Sequence, residues 1–173
     1  MSSYFDVFGI SPLRLCLSQT DLEASYYRMS LQFHPDKNQN STDSIKQSSE
    51  INLAYKVLRD PWARALYVLG QFGMVRGSKV PPSLAEVYFE LQDLNDRAKL
   101  ESLREVLSQG RIERSQKLHE LFADFDQHQL TSFASAAEGV RPVLLKLQDL
   151  VLENTYANSM LRDIDQRLGS QAA

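Results

Sequence analysis

Pro35 sets the first firm limit on how this chain can fold. A proline ring drives the preceding residue out of the α region and removes a backbone donor, so the helical pattern through Tyr26, Leu31 and Phe33 must end at about His34. The turn formers Asn38-Gln39-Asn40-Ser41 follow and keep the segment in water. The polar tripeptide His34-Pro35-Asp36 is thereby pinned at a helix exit. Upstream, Leu22, Tyr26, Met29 and Phe33 recur at three- and four-residue intervals and define one buried helix face, with Arg28 and Gln32 away from it. Thr20 and Glu23 stand at the spacing of a capping box and predict where that helix begins.

The same punctuation organises the rest of the first half. Tyr4-Phe5-Asp6-Val7-Phe8-Gly9-Ile10, with Pro12 soon after, predicts a first helix of about two turns. After the polar loop, Asp43 or a neighbouring Ser or Thr can cap a helix through Ile51, Leu53, Ala54, Val57 and Leu58. Asp60-Pro61 then reads as N-cap and first-turn proline of a fourth helix carrying Ala65, Leu66, Val68 and Leu69, ending near Gly70 and Gly73. Two long helices joined by a polar loop pack as an antiparallel hairpin with His34 at its tip. Tyr4, Phe5, Phe8, Tyr26, Phe33, Tyr55 and Tyr67 are read as core.

Gly73 to Ser83 holds two glycines and two prolines between helical patterns and divides the chain. The division predicted is residues 1–73, a linker at 74–83, and a second unit at 84–173. Beyond the linker, Ser83 can cap a helix from about Leu84 to Ser108, ended by Gly110. A second helix is expected from about Ile112 to near Gln127. The last is expected from about Val143 to Leu168, with Pro142 either kinking it or separating off a piece carrying Phe133, Ala136 and Ala137. The fold class predicted is all-α, the second unit a three-helix bundle.

Composition removes several functions. At 173 residues and 43% hydrophobic the chain can bury a real core. A net charge of -3 argues against a nucleic-acid binder that works by neutralising phosphates. The lone Cys16 can form neither an internal disulfide nor a cysteine-based zinc site, which suits a reducing compartment. No apolar run approaches the roughly 20 residues of a membrane span. The first residues lack the basic and apolar regions of a signal peptide and the arginine-rich character of a transit peptide, so a cytoplasmic location is expected. His34, His119 and His128 form no Glu-x-x-His pattern and there is no glycine-rich phosphate loop, so catalysis, a metal and a cofactor are not expected.

The helix after the linker carries a second clue. Leu84, Val87, Leu91, Leu94 and Ala98 define its buried stripe, and at about 100° per residue Phe89 projects roughly 170° from the centre of that stripe and Tyr88 roughly 90°. With Ala85, Gln92, Asp93 and Asp96 they make a patch apolar at one end and acidic at the other, suited to a protein partner. The other reading is that Tyr88 covers the bundle edge and Phe89 packs on the linker or first unit.

The order of a short Tyr-Phe helix, a helix ending in His34-Pro35-Asp36-Lys37, and Ile51-Asn52-x-Ala54-Tyr55-x-x-Leu58-x-Asp60-Pro61 is similar to J domains, which drive ATP hydrolysis in DnaK-class chaperones. Arg64-Ala65-Leu66-Tyr67-Val68-Leu69 resembles more narrowly the HscB family, J-type co-chaperones of iron–sulfur cluster assembly. The resemblance implies a J domain joined to a C-terminal helical scaffold-binding domain. It implies that His34, Pro35 and Asp36, with Arg28 and Lys37, contact the DnaK-class partner HscA. It also implies that Tyr88, Phe89, Gln92, Asp93 and Asp96 contact the scaffold IscU, together with an aromatic from the last helix, expected near Leu144-Leu145-Lys146-Leu147.

Three departures stand out. The second helix is much less basic than in general J domains, which implies a modest electrostatic share of chaperone binding. Gln92 stands where the family pattern has Met or Leu, and Asn95 where it has Arg. The function expected is an adaptor that presents an iron–sulfur scaffold to its chaperone, acting as a monomer, with a weak dimer through the patch as the variant form. Two other readings stand beside it: a J domain serving a different client or acting as a general holdase, and a helical interaction protein with a chance tripeptide.

Overall fold

The computed structural model describes residues 3–33, 42–74, 77, 79–131 and 136–170. Among these, seven helices account for the regular structure: α1 Tyr4–Val7, α2 Gln19–Gln32, α3 Thr42–Arg59, α4 Pro61–Gln71, α5 Pro82–Asp93, α6 Arg97–Thr131 and α7 Ala136–Ser170. The fold is all-α.

The first four helices follow local chemistry closely. α1 is shorter than expected, a single turn held by reciprocal bonds: Asp6 N–H donates to Ser3 Oγ at 3.2 Å and Ser3 N–H to the Asp6 carboxylate at 2.8 Å. Those bonds from Ser3 hold the Asp6 carboxyl below its ordinary pKa. α1 stops after four residues because Gly9, at φ 66°, turns the chain: Ile10 N–H reaches Phe5 O and Gly9 N–H reaches Asp6 O. Gly73, at φ 68°, closes α4 in the same way, while Gly70 lies inside that helix. α2 starts two residues earlier than the Thr20–Glu23 spacing predicts. Ser18 and Asp21 have the same spacing, and Ser18 Oγ accepts the Asp21 N–H at 3.3 Å. Asp60 caps α4 through the N–H groups of Trp62 and Ala63, with Pro61 in the first turn, as expected.

α2 and α3 run antiparallel. The Tyr26 and Tyr55 rings stack at 4.0 Å, Tyr26 OH donates to Asn52 Oδ1 at 2.8 Å, and Arg59 lies over the Tyr55 ring. α1 is fastened by Tyr4 stacked on Tyr67 at 4.3 Å and by Tyr4 N–H donating to Tyr67 OH.

The second half departs from the expected boundaries. The helix beginning at Pro82 breaks at Leu94, whose backbone is extended (φ −79°, ψ 118°). Asp96 then caps a new helix, accepting the Lys99 N–H at 3.1 Å. The break re-phases the apolar stripe, so Ala98 is exposed and Leu100 takes the buried position. α6 continues straight through Gly110. The space left by the missing side chain is occupied by the Arg114 guanidinium, since a Cβ at Gly110 would lie 2.9 Å from Arg114 Nη1. α7 likewise continues on both sides of Pro142 as one 35-residue helix, so Ala136 and Ala137 belong to it. Phe133 lies outside the described residues. α6 and α7 form an antiparallel pair, with Arg104 on Asp165 at 2.6 Å and Arg114 near Glu153 at 3.9 Å.

Two hydrophobic clusters result. The larger joins both halves of the chain: Phe5, Leu15, Leu22, Leu58, Ala65, Val68 and Leu69 pack with Leu118, Phe122, Phe125, Val143, Leu144 and Leu147. Polar groups reinforce it, because the Asp126 carboxylate accepts the N–H groups of Leu15 at 2.6 Å and Cys16 at 2.9 Å. Partial burial, and then the same carboxylate, push the Cys16 thiol pKa up. Arg64 is buried with its guanidinium over the Phe122 ring and one N–H on Leu58 O. Burial lowers its pKa, while Cys16, Asp126 and Asp60 act in the opposite direction. The smaller cluster, Leu84, Leu91, Leu94, Leu100, Leu107, Ala157, Met160 and Ile164, holds α5 on the far end of the α6–α7 pair. Buried Arg114 and Asn154 lie between the two clusters along the helix pair.

Candidate partner-binding site

α5 is a 12-residue helix that buries Leu84 and Leu91 and turns its other side outward. Tyr88 is half-buried and Phe89 is 69% exposed, matching the angles read from the sequence. The two rings meet edge to face at 5.8 Å. Tyr88 also meets Tyr156 of α7 edge to face at 6.2 Å, so three aromatics from two helices form one continuous patch. Gln92, Asp93 and Asp96 are all exposed. Asp96 is also the cap of α6, where a negative charge is favoured by the helix dipole.

Tyr156 is the residue that sequence reasoning missed. The expected contributor, Leu144 to Leu147, lies elsewhere: Leu144 and Leu147 are buried in the larger cluster, packed with the first half of the chain. α5 packs instead on Ala157, Met160 and Ile164, which places Tyr156 beside it. The break at Leu94 hid this, because a helix continuing from Leu84 to Ser108 offers no short segment to lay across the C-terminal half of α7.

The other candidate site lies at the end of α2. Phe33 is the C-cap, its N–H on Met29 O at 2.9 Å, and His34, Pro35, Asp36 and Lys37 lie outside the described residues. Arg28 is exposed, with Nη2 donating to Ser25 Oγ at 3.2 Å. Beside it, Tyr27 and Leu31 are 67% and 43% exposed, one turn apart. Neither lies on the stripe of Leu22, Tyr26, Met29 and Phe33 that the sequence assigns to the buried face.

Among the described residues, no group of three His, Cys, Asp or Glu side chains is placed to hold a metal ion, and no helix is long and apolar enough to cross a membrane.

Residues 3–67, which run from the Ser3 cap into α4, match the model of the DnaJ domain family. The chain is 43% identical over 65 residues to protein psi1 of Schizosaccharomyces pombe, covering 38% of this chain and 16% of that one, so this likeness is confined to the J domain. The co-chaperone protein HscB homolog of Burkholderia mallei is 31% identical over 156 residues, covering 82% of this chain and 86% of the relative. This chain belongs to the HscB co-chaperone family. The HscB relationship therefore extends past the J domain into the helices that carry the aromatic patch. In fold, the chain matches the chaperone HscB from Vibrio cholerae with a TM-score of 0.62 over 99% of this chain and all of that one, at 22% identity. The expectation of a J domain followed by a helical unit in an HscB-type co-chaperone is borne out.

Proposed function

We propose that this protein is an adaptor in iron–sulfur cluster assembly that stimulates the ATPase of a DnaK-class chaperone of the HscA type and presents a scaffold protein of the IscU type to it. The work is divided between residues 1–73, which engage the chaperone, and residues 84–173, which hold the scaffold, with 74–83 as the connection. His34, Pro35 and Asp36 carry the chaperone contact, with Arg28 and Lys37 beside them. Tyr88, Phe89, Gln92, Asp93 and Asp96 carry the scaffold contact, and Tyr156 completes its apolar part. The adaptor performs no chemistry of its own and works as a cytoplasmic monomer.

The observation that carries this reading is the aromatic patch of α5 and α7, in a chain whose HscB relationship covers both halves. Rigid aromatics with one face free give contact area at low entropic cost, and a partner seated on Phe89 would remove it from water. The acidic rim of Asp93 and Asp96 favours a partner with basic residues around an apolar spot. Holding the client beside the chaperone raises its effective concentration, so the combined affinity exceeds that of either contact alone.

The test is a calorimetric titration with the iron–sulfur scaffold of the same organism, in parallel with a Tyr88→Ser, Phe89→Ser double variant. The expected result is binding in the micromolar range that the variant weakens at least about tenfold, roughly 1.4 kcal/mol. Absence of binding by either protein would leave the J domain serving a different client.

A further inference from the structure

α5 is poorly equipped to hold its own ends. Its N-cap is Pro81, which supplies no side-chain bond, and it ends at an extended Leu94 without a glycine or a basic residue in the last turn. Its final carbonyls thus lack the usual local partners. Arg167 of α7 supplies them from outside: Nη1 donates to Leu91 O at 2.9 Å and to Leu94 O at 3.1 Å. Asp163, one turn earlier on α7, aims the guanidinium through paired bonds, Nε to Oδ1 at 3.0 Å and Nη2 to Oδ2 at 2.8 Å. The positive charge also sits at the C-terminal end of α5, where the helix dipole favours it.

We infer that Arg167, oriented by Asp163, is a positioning residue for the partner-binding face: it clamps the C-terminal end of α5 and so fixes how Phe89, Gln92 and Asp93 are presented. The inference rests on the reading of α5 as the scaffold site. Nη1, Nη2 and Nε are all engaged within the protein, so Arg167 acts through α5 and not as a contact of its own. A 12-residue helix is marginal by itself, and a surface that must be ordered at the moment of binding binds more weakly.

The experiment compares the full-length protein with Arg167→Ala and Arg167→Lys, using hydrogen exchange of the free proteins and scaffold titration by calorimetry. In Arg167→Ala, exchange in the last turn of α5 should speed up about tenfold while α1 to α4 are unchanged. Scaffold affinity should fall about fivefold, and Arg167→Lys, which keeps the charge and one donor group, should recover part of it. In the Tyr88→Ser, Phe89→Ser background the Arg167→Ala loss should shrink, because the aromatics through which it acts are gone. Unchanged exchange in α5, unchanged affinity, or an equal loss in the aromatic-deficient background would each overturn the clamp. If the unaltered protein fails to bind the scaffold, the scaffold reading fails, and the exchange data still decide whether Arg167 holds α5.

Discussion

Phe33 closes α2 with its N–H on Met29 O, which puts the helix end directly before His34 in the sequence. Replacing His34 by Gln retains a polar side chain of similar reach but removes the imidazole. The expected outcome is loss of ATPase stimulation in the partner chaperone with scaffold affinity and unfolding midpoint unchanged, read by steady-state hydrolysis and thermal denaturation. Normal stimulation by the variant would remove the tripeptide from the mechanism. At this scale the sequence was informative for several residues that act locally. Asp60 as a cap, Gly9 and Gly73 as left-handed terminators and the outward direction of Phe89 were all legible. Tyr156 and Arg167 were not, because each matters only through a helix more than sixty residues away in sequence.

Helices α6 and α7 show how packing overrides local preference. Gly110 and Pro142 are both residues that break helices in isolation, yet each lies inside a 35-residue helix whose stability comes from its partner. At Gly110 the exception has a visible cause in Arg114, which is buried with Nη2 on Leu107 O at 3.2 Å. Gly110→Ala would gain about 1 kcal/mol of helix propensity. The new methyl would displace the guanidinium and cost a charge-assisted bond of about 1.5–3 kcal/mol. The variant should therefore be less stable by roughly 1 kcal/mol in urea denaturation. A more stable Gly110→Ala would mean that Arg114 relocates without loss. The opposite error occurred at Leu94, where an unbroken apolar stripe concealed a helix end. The Asn95-Asp96 pair was the available signal, since both residues favour turns and caps, and the continuing stripe outweighed it.

For the whole molecule, the decisive fact is that the larger core is built from both sides of the Phe72 to Pro81 break. Phe122, 1% exposed beneath Arg64, is central to it. Phe122→Ala should cost about 3–5 kcal/mol. The loss should lower together the unfolding midpoints reported by Trp62 fluorescence, in α4, and by far-ultraviolet circular dichroism, dominated by α6 and α7. A Trp62 transition that stays in place while the helical signal shifts would show that the two halves unfold independently. The all-α class could be anticipated from helical periodicity punctuated by proline and glycine. The shared core could not, because amphipathic stripes declare which faces are apolar and leave open which stripe meets which.

Asp126 and the Arg64–Phe122 stack have a consequence for engineering and for descent. A module that is merely tethered can be exchanged for a relative's like a cartridge. Here the underside of the J domain is cut to fit one bundle, so a transplanted J domain would arrive without its floor and would expose apolar side chains that its donor had kept covered. In a lineage built this way, the two halves must change in step.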